Sequence, residues 1–224
     1  MTETGTMPNL TTFLTFYAAV LAIQLTPGPD MILVIGRGIG QGRRIALLSA
    51  VGMTLLAGIV QLSMLVLGIA SLLAASPLAF EILRWAGAAY LIWLGLKLLV
   101  ESGRRAGRAG PAVLVSMSDG AALREGAINN LTNPKSLVFL FAFLPQFVDP
   151  ANGWPVAVQL LLLGAVAKLT NFVILTTVAL GAGTFGGWLA RRPGLIAWQK
   201  RFAGIVMIGL GLRLAIGGDA RPVR

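Results

Sequence analysis

Three charged residues stand inside otherwise apolar stretches: Asp30, Lys135 and Lys168. A charge at the centre of a membrane-spanning helix costs about 2.5–3.5 kcal/mol on insertion scales, so each needs a reason to be there. Asp30 follows Thr26-Pro27-Gly28-Pro29, and Lys135 follows Asn133-Pro134. Proline cannot continue an α-helix. A helix broken at membrane depth exposes N–H groups on one stub and carbonyls on the other, ready for anions and cations. One break thus offers a carboxylate and the other an ammonium. That combination suits a zwitterion, whose own ammonium faces Asp30 while its carboxylate faces Lys135 and the stub behind it. The same residues also admit a structural reading, in which Asp30 pairs with Lys135 or Lys168 and makes burial tolerable. Such a pair can open to accept a ligand. Asn129, Asn130 and Asn133 crowd the second break, where they can bind a ligand or cap freed backbone groups; capping is the simpler role for Asn133. Gln24, Gln61, Gln146 and Asn171 are weaker candidates, because intramembrane amides also bind neighbouring helices.

Other chemistries are poorly supplied. The chain has no cysteine and no histidine, which leaves no disulfide, thiolate metal site or imidazole catalysis. A hard divalent ion wants several carboxylates, and only Asp30 lies clearly inside an apolar run. Metalloprotease, paired-aspartate and Ser-His designs need residues that are absent or solitary. No enzymatic activity, resident metal or cofactor is therefore expected. The run Gly36-Arg37-Gly38-Ile39-Gly40-Gln41-Gly42 lacks the preceding strand and the Lys-Ser/Thr ending of a phosphate loop, and reads as an exit and hinge.

The elements that must position these residues follow from composition. Of 224 residues, 56% are hydrophobic and 12% are charged, too little charge to cover a soluble domain. The apolar residues come in long blocks, the mark of an integral membrane protein. The net charge of +10 sits mostly in short stretches flanking those blocks, without interleaved aromatic residues, so no nucleic-acid partner is expected. Glu3 and no Lys or Arg precede the first block, which is read as retained rather than as a cleaved signal.

Helices are expected at about residues 10–25 and 30–39 on either side of the first break, then 45–74, 82–99, 123–148 with the second break, 155–181 and 198–216. Counting each broken pair as one span gives six spans of roughly 20 residues. Arg84 and Lys97 tip the third span, where long stems can reach the interface. A Gly- and Arg-rich linker at about 101–122 separates two halves, 10–99 and 123–216, of a single transmembrane domain covering 1–224.

The halves look related. Arg84-Trp85-Ala86-Gly87 corresponds to Arg201-Phe202-Ala203-Gly204, and Leu94-Gly95-Leu96-Lys97-Leu98 to Leu210-Gly211-Leu212-Arg213-Leu214. Pro29-Asp30 likewise lines up with Pro134-Lys135. Three spans is an odd number, so the second copy enters from the opposite side. The expected fold is all-α, with six transmembrane helices in two inverted three-helix repeats and breaks at Pro27–Pro29 and Pro134. Basic residues set the orientation. Arg43, Arg44, Arg104, Arg105, Arg108, Arg124, Arg191, Arg192, Lys200 and Arg201 fall on one side. Arg84, Arg221 and Arg224 fall on the other with Glu3, Glu81, Asp149 and Asp219. Both termini are expected outside.

The chain also resembles the LysE/RhtB amino-acid exporters of bacterial cytoplasmic membranes. The resemblance is carried by Thr26-Pro27-Gly28-Pro29-Asp30, Gln41-Gly42-Arg43-Arg44, the segment from Ala86 to Gly95, Asn130-Leu131-Thr132-Asn133-Pro134-Lys135, and Phe143-Leu144-Pro145-Gln146-Phe147-Val148. It spans nearly the whole chain in order. It implies six helices in inverted repeats, in the inner membrane, and export of amino acids or analogues driven by the proton motive force. Carried over residue by residue, it puts the substrate region at Pro27, Gly28, Pro29, Asp30, Asn130, Asn133, Pro134 and Lys135. Two departures stand out. RhtB-like members often have Asn where Asp30 stands, so a carboxylate here bears on coupling or preference. Leu56 replaces a second small residue common after Gly52, which argues against close packing there. The expected partners are a zwitterionic amino acid or analogue, protons, the bilayer, and a second copy of the chain in a homodimer. A cation exporter is the alternative, because members of the wider superfamily move metal ions, although the lack of His and Cys disfavours soft and borderline metals; a passive channel is the other.

Overall fold

The computed structural model describes residues 10–69, 76–102, 117–149, 151, 153–190 and 193–216. Residues 70–75, most of the linker, and Glu3, Arg104, Arg105, Arg108, Arg191, Arg192, Asp219, Arg221 and Arg224 lie outside them. Among the described residues every regular element is helical. α1 spans Leu10–Leu25 and α2 Pro29–Gly40. α3 starts as Arg43–Val51, widens to π turns over Gly52–Leu56, resumes over Ala57–Met64 and widens again over Leu65–Ile69. α4 spans Pro77–Ser102 and α5 Asp119–Leu131. α6 begins at Pro134–Val138, passes through π turns at Phe139–Phe143 and tightens to 3-10 turns at Leu144–Phe147. α7 spans Val156–Ala190 and α8 Pro193–Ile216.

Both breaks fall at the expected prolines. α1 and α2 meet at 47°, because Pro27 and Pro29 withhold the N–H groups a continuous helix would need. Pro29 is instead the first residue of α2, a position where its missing donor costs nothing. At the second break Asn133 Oδ1 accepts the Lys135 N–H at 3.1 Å and Pro134 opens α6, the N-cap role expected of that asparagine.

Among the described residues three helical stretches are long and apolar enough to cross a membrane, Arg43–Gly68, Glu81–Ser102 and Val156–Ala182; the bent pair α1–α2 makes a fourth if counted as one span. The chain is therefore an all-α, multi-pass membrane protein. Its apolar exterior agrees: Ile32, Ile59, Leu67, Leu169 and Ile205 are all more than 60% exposed, a surface that only lipid tolerates.

Several boundaries differ from expectation. α3 begins at Arg43, so the first loop shrinks to Gln41-Gly42, with Gly42 at φ 91°. α4 starts at Pro77, with Ser76 Oγ accepting the Ala79 N–H at 3.3 Å. α5 starts at Asp119 rather than near 123, capped by Ser118. α7 runs past Gly181 to Ala190, and α8 starts at Pro193. Arg84 does not reach outward: its side chain is 5% exposed and pairs with Glu81. Lys97 does, over the Trp93 ring and beside Glu101.

Close packing occurs at Gly52 in spite of Leu56. A Cβ on Gly52 would lie 2.0 Å from the Leu123 carbonyl oxygen, and one on Gly126 would lie 2.3 Å from that of Ser49. α3 and α5 thus touch backbone to backbone, while Leu56 points outward. α4 and α8 do the same where Gly95 and Gly204 face each other and where Gly211 meets the Ala88 carbonyl. Phe16, Phe139, Leu140, Phe143 and Leu144 form the main core between α1 and α6.

Candidate functional site

The two breaks interlock. Lys135, one residue into α6, reaches across to the open carbonyl end of α1 and donates to Thr26 O at 3.0 Å and Ile23 O at 3.3 Å. The chain leaves the helix here: Ile23 O, which also accepts the Thr26 N–H at 3.3 Å, lacks its regular partner because Pro27 has no N–H. Gly28 makes room for that ammonium: a Cβ there would lie 2.8 Å from Nζ. Reciprocally, Asp30 in the first turn of α2 is gripped by the end of α5. Asn129 Nδ2 donates to its Oδ1 at 2.7 Å and Asn130 Nδ2 to its Oδ2 at 2.6 Å. Asp30 is 7% exposed, and Asn130 is fully buried. An acid at a helix N-terminus also faces the favourable end of the helix dipole.

Lys168, midway along α7, completes the network. Its ammonium donates to Gln61 Oε1 and, at 3.1 Å, to Asn130 Oδ1. Gln61 Nε2 donates in turn to the Asn130 backbone carbonyl at 3.3 Å. One amide side chain therefore bridges Asp30 and Lys168. Among the described residues the ion pairs are Arg37–Glu125, Arg44–Asp119, Arg84–Glu81, Lys97–Glu101 and Lys200–Glu101. Asp30 is in none of them, so the expected direct pairing with Lys135 or Lys168 is replaced by neutral amides and carbonyls. Each charge is solvated by dipoles, which leaves all three able to answer a ligand's charge without first breaking a salt bridge.

Asp30, Lys135 and Lys168 line one cleft of about 530 Å³ with Ile23, Gln24, Thr26, Met31, Ser136, Phe139, Leu140, Ala167, Asn171 and Leu175. Of the residues singled out from sequence, Asn130 holds the Asp30 carboxylate without lining the cleft, and Asn133 caps the turn of α6 that carries Lys135. Pro27, Gly28, Pro29 and Pro134 shape the breaks without lining the cleft. The sequence reading missed Thr26, whose carbonyl holds Lys135, and the apolar wall of Met31, Phe139 and Leu175. Only the neighbouring TPGPD run marks Thr26; nothing in the sequence marks the wall. Gln24 donates through Nε2 to Ala167 O at 2.8 Å, leaving its buried Oε1 without a partner.

From the cleft a ladder of contacts runs between α2–α3 and the antiparallel α5. Asp30 meets Asn129 and Asn130, Arg37 meets Glu125, and Arg44 meets Asp119. Asp30 and Arg37, two turns apart, share a face of α2, and Arg44 continues the row from the first turn of α3 beyond the Gln41-Gly42 loop. Arg37 is nearly buried and also donates to Gln41 Oε1 at 2.9 Å. Where the end of α4 meets α8, Arg201 Nε donates to Ser102 Oγ and Lys200 approaches Glu101.

Among the described residues no group of three or more His, Cys, Asp or Glu could hold a metal ion. The chain matches the family of LysE type translocators over residues 21–218. It is 33% identical over 205 residues to an uncharacterized membrane protein of Vibrio cholerae, covering 91% of this chain and 96% of that one. It is 36% identical over 187 residues to the homoserine/homoserine lactone efflux protein of Salmonella typhimurium, covering 83% and 87%. To the leucine efflux protein of Salmonella typhimurium it is 28% identical over 204 residues, covering 90% and 93%. No solved structure matches it.

Proposed function

The chain belongs to the family of LysE type translocators, and on that premise we propose that it exports amino acids or their analogues across the bacterial inner membrane, coupled to protons. It is a carrier rather than an enzyme. The observation that bears the substrate reading is the reciprocal grip of the two breaks. A carboxylate on α2 and an ammonium on α6 face one cleft, each held by neutral groups. A zwitterion entering that cleft offers its ammonium to Asp30 and its carboxylate to Lys135, displacing amide and carbonyl partners of the same geometry. Lys168, tied to Asp30 through Asn130, is the second cation of the site and part of the coupling between substrate and proton.

The single domain of two inverted three-helix repeats is part of the same reading. It is supported by the paired Pro-Asp and Pro-Lys breaks and by the mutual glycine contacts of α3 with α5 and α4 with α8. The excess of basic residues around Arg44, Arg124 and Lys200 supports the reading that these face the cytoplasm and that both termini lie outside. A homodimer is the proposed assembly.

The test is efflux from preloaded cells with a panel of labelled amino acids, with and without a protonophore. Export against a gradient that collapses with the protonophore is expected. Asp30→Asn and Lys135→Met should each lower it at least about tenfold, a loss of about one charge-assisted hydrogen bond. Full export by both variants would remove the zwitterion site.

A further inference from the structure

We propose that Arg213 and Gln146 form a second, outward station that receives the carboxylate of the departing molecule. The inference rests on the export reading and its orientation, and extends it to a place on the chain that the central cleft does not include. A separate cleft of about 410 Å³ is lined by Phe143, Gln146, Phe147, Arg213 and Leu214. Both clefts lie along α6. Lys135, Ser136, Phe139 and Leu140 line the inner one. Phe143, Gln146 and Phe147 line the outer one. The outer set follows the inner one along the same helix, and Lys135 and Gln146 are separated by about 16 Å, since the shorter rise of the π turns and the longer rise of the 3-10 turns roughly offset around 1.5 Å per residue.

Aromatic rings divide the two clefts. The Phe139 and Phe143 centroids are 5.7 Å apart, those of Phe143 and Phe147 5.1 Å, and Phe16 closes on Phe147 from α1 at 5.3 Å. Beyond that divider the wall becomes polar. Arg213 takes part in no salt bridge among the described residues; its guanidinium stands 5.5 Å over the Phe147 ring, which orients the fork without neutralising it. Among the described residues Gln146 makes only a long 3.5 Å contact to Ala142 O through Nε2. A planar guanidinium with an amide beside it matches a carboxylate. Arg213 is also exposed, where a higher dielectric weakens the attraction. A tight inner cation followed by a looser outer one is the order that release requires.

The experiment uses cells expressing the full chain, preloaded with a labelled amino acid that the wild type exports. Unlabelled amino acid is added outside, or the corresponding amino alcohol, which lacks the carboxylate. External amino acid should slow efflux by occupying the outer station, and the amino alcohol should not. Arg213→Gln should raise the half-inhibiting external concentration about tenfold with the internal KM unchanged, Arg213→Lys should restore part of it, and Gln146→Leu should produce a smaller rise. Equal inhibition of wild type and Arg213→Gln overturns the proposal. So does equal action of amino acid and amino alcohol. Loss of efflux or of membrane-inserted protein in Arg213→Gln, with inhibition unshifted, assigns the guanidinium to a lipid phosphate and overturns it too. If the wild type exports no amino acid in the panel, the export reading itself has failed and this one falls with it.

Discussion

Replacing Asn130 with leucine keeps its branched outline, adds some volume and removes its two side-chain bonds. The side chain is fully buried, donating to Asp30 Oδ2 at 2.6 Å and accepting from Lys168 Nζ at 3.1 Å. Both partners are charged. A hydrogen bond to a charged group contributes about 1.5–3 kcal/mol, and a buried charge left short of a partner loses that much. Two such losses sum to about 3–6 kcal/mol, a large part of the ~5–15 kcal/mol that holds a typical domain folded. At roughly 2–4 °C per kcal/mol for a chain of this size, Asn130→Leu in detergent should melt at least about 6 °C below wild type. Its efflux should fall to background. Asn129→Leu, which takes only the 2.7 Å bond from Asp30 Oδ1, should fall about half as far. A variant Asn130→Leu that melts within about 1 °C of wild type and exports at the wild-type rate would refute the bridge.

Three further expectations follow from the packing. Gly52→Ala and Gly126→Ala place a methyl 2.0 and 2.3 Å from backbone oxygens; each should force α3 and α5 apart and cost about 1–3 kcal/mol, seen as a lower melting temperature and poorer yield. Gly28→Ala meets only the flexible end of Lys135 and sits at φ −148°, so it should fold normally, with its effect confined to a raised KM for export. Glu125→Gln strips the nearly buried Arg37 of its carboxylate; with Glu125 itself 45% exposed, the loss should be about 1–2 kcal/mol rather than that of a fully buried pair. The swap Arg37→Glu with Glu125→Arg should recover part of that loss in a melting assay; no recovery would show that the pair does not contribute.

The helix breaks were legible because proline and glycine act locally: Pro27, Pro29 and Pro134 interrupt helices wherever the chain runs. The charges beside them were legible because apolar blocks make an isolated Asp or Lys conspicuous. Their partners were not. Asn129 and Asn130 lie about a hundred positions from Asp30 in the chain, and only the crossing of α2 and α5 brings them together. Charge alone suggested an ion pair, whereas the fold surrounds each ion with dipoles instead. Arg84 and Leu56 misled for a related reason. Their orientation depends on which face of α4 or α3 meets a neighbour, and glycine contacts at Gly52, Gly87 and Gly95 decide that.

The antiparallel ladder makes α5 a stiff strut about 20 Å long, fastened at its inner end to Asp30, at its middle to Arg37 and at its outer end to Arg44. Whatever competes for the Asp30 carboxylate slackens the inner fastening, while those to Arg37 and Arg44 are left in place. The polar contacts at the far end of α5 are thereby tied to what happens in the cleft.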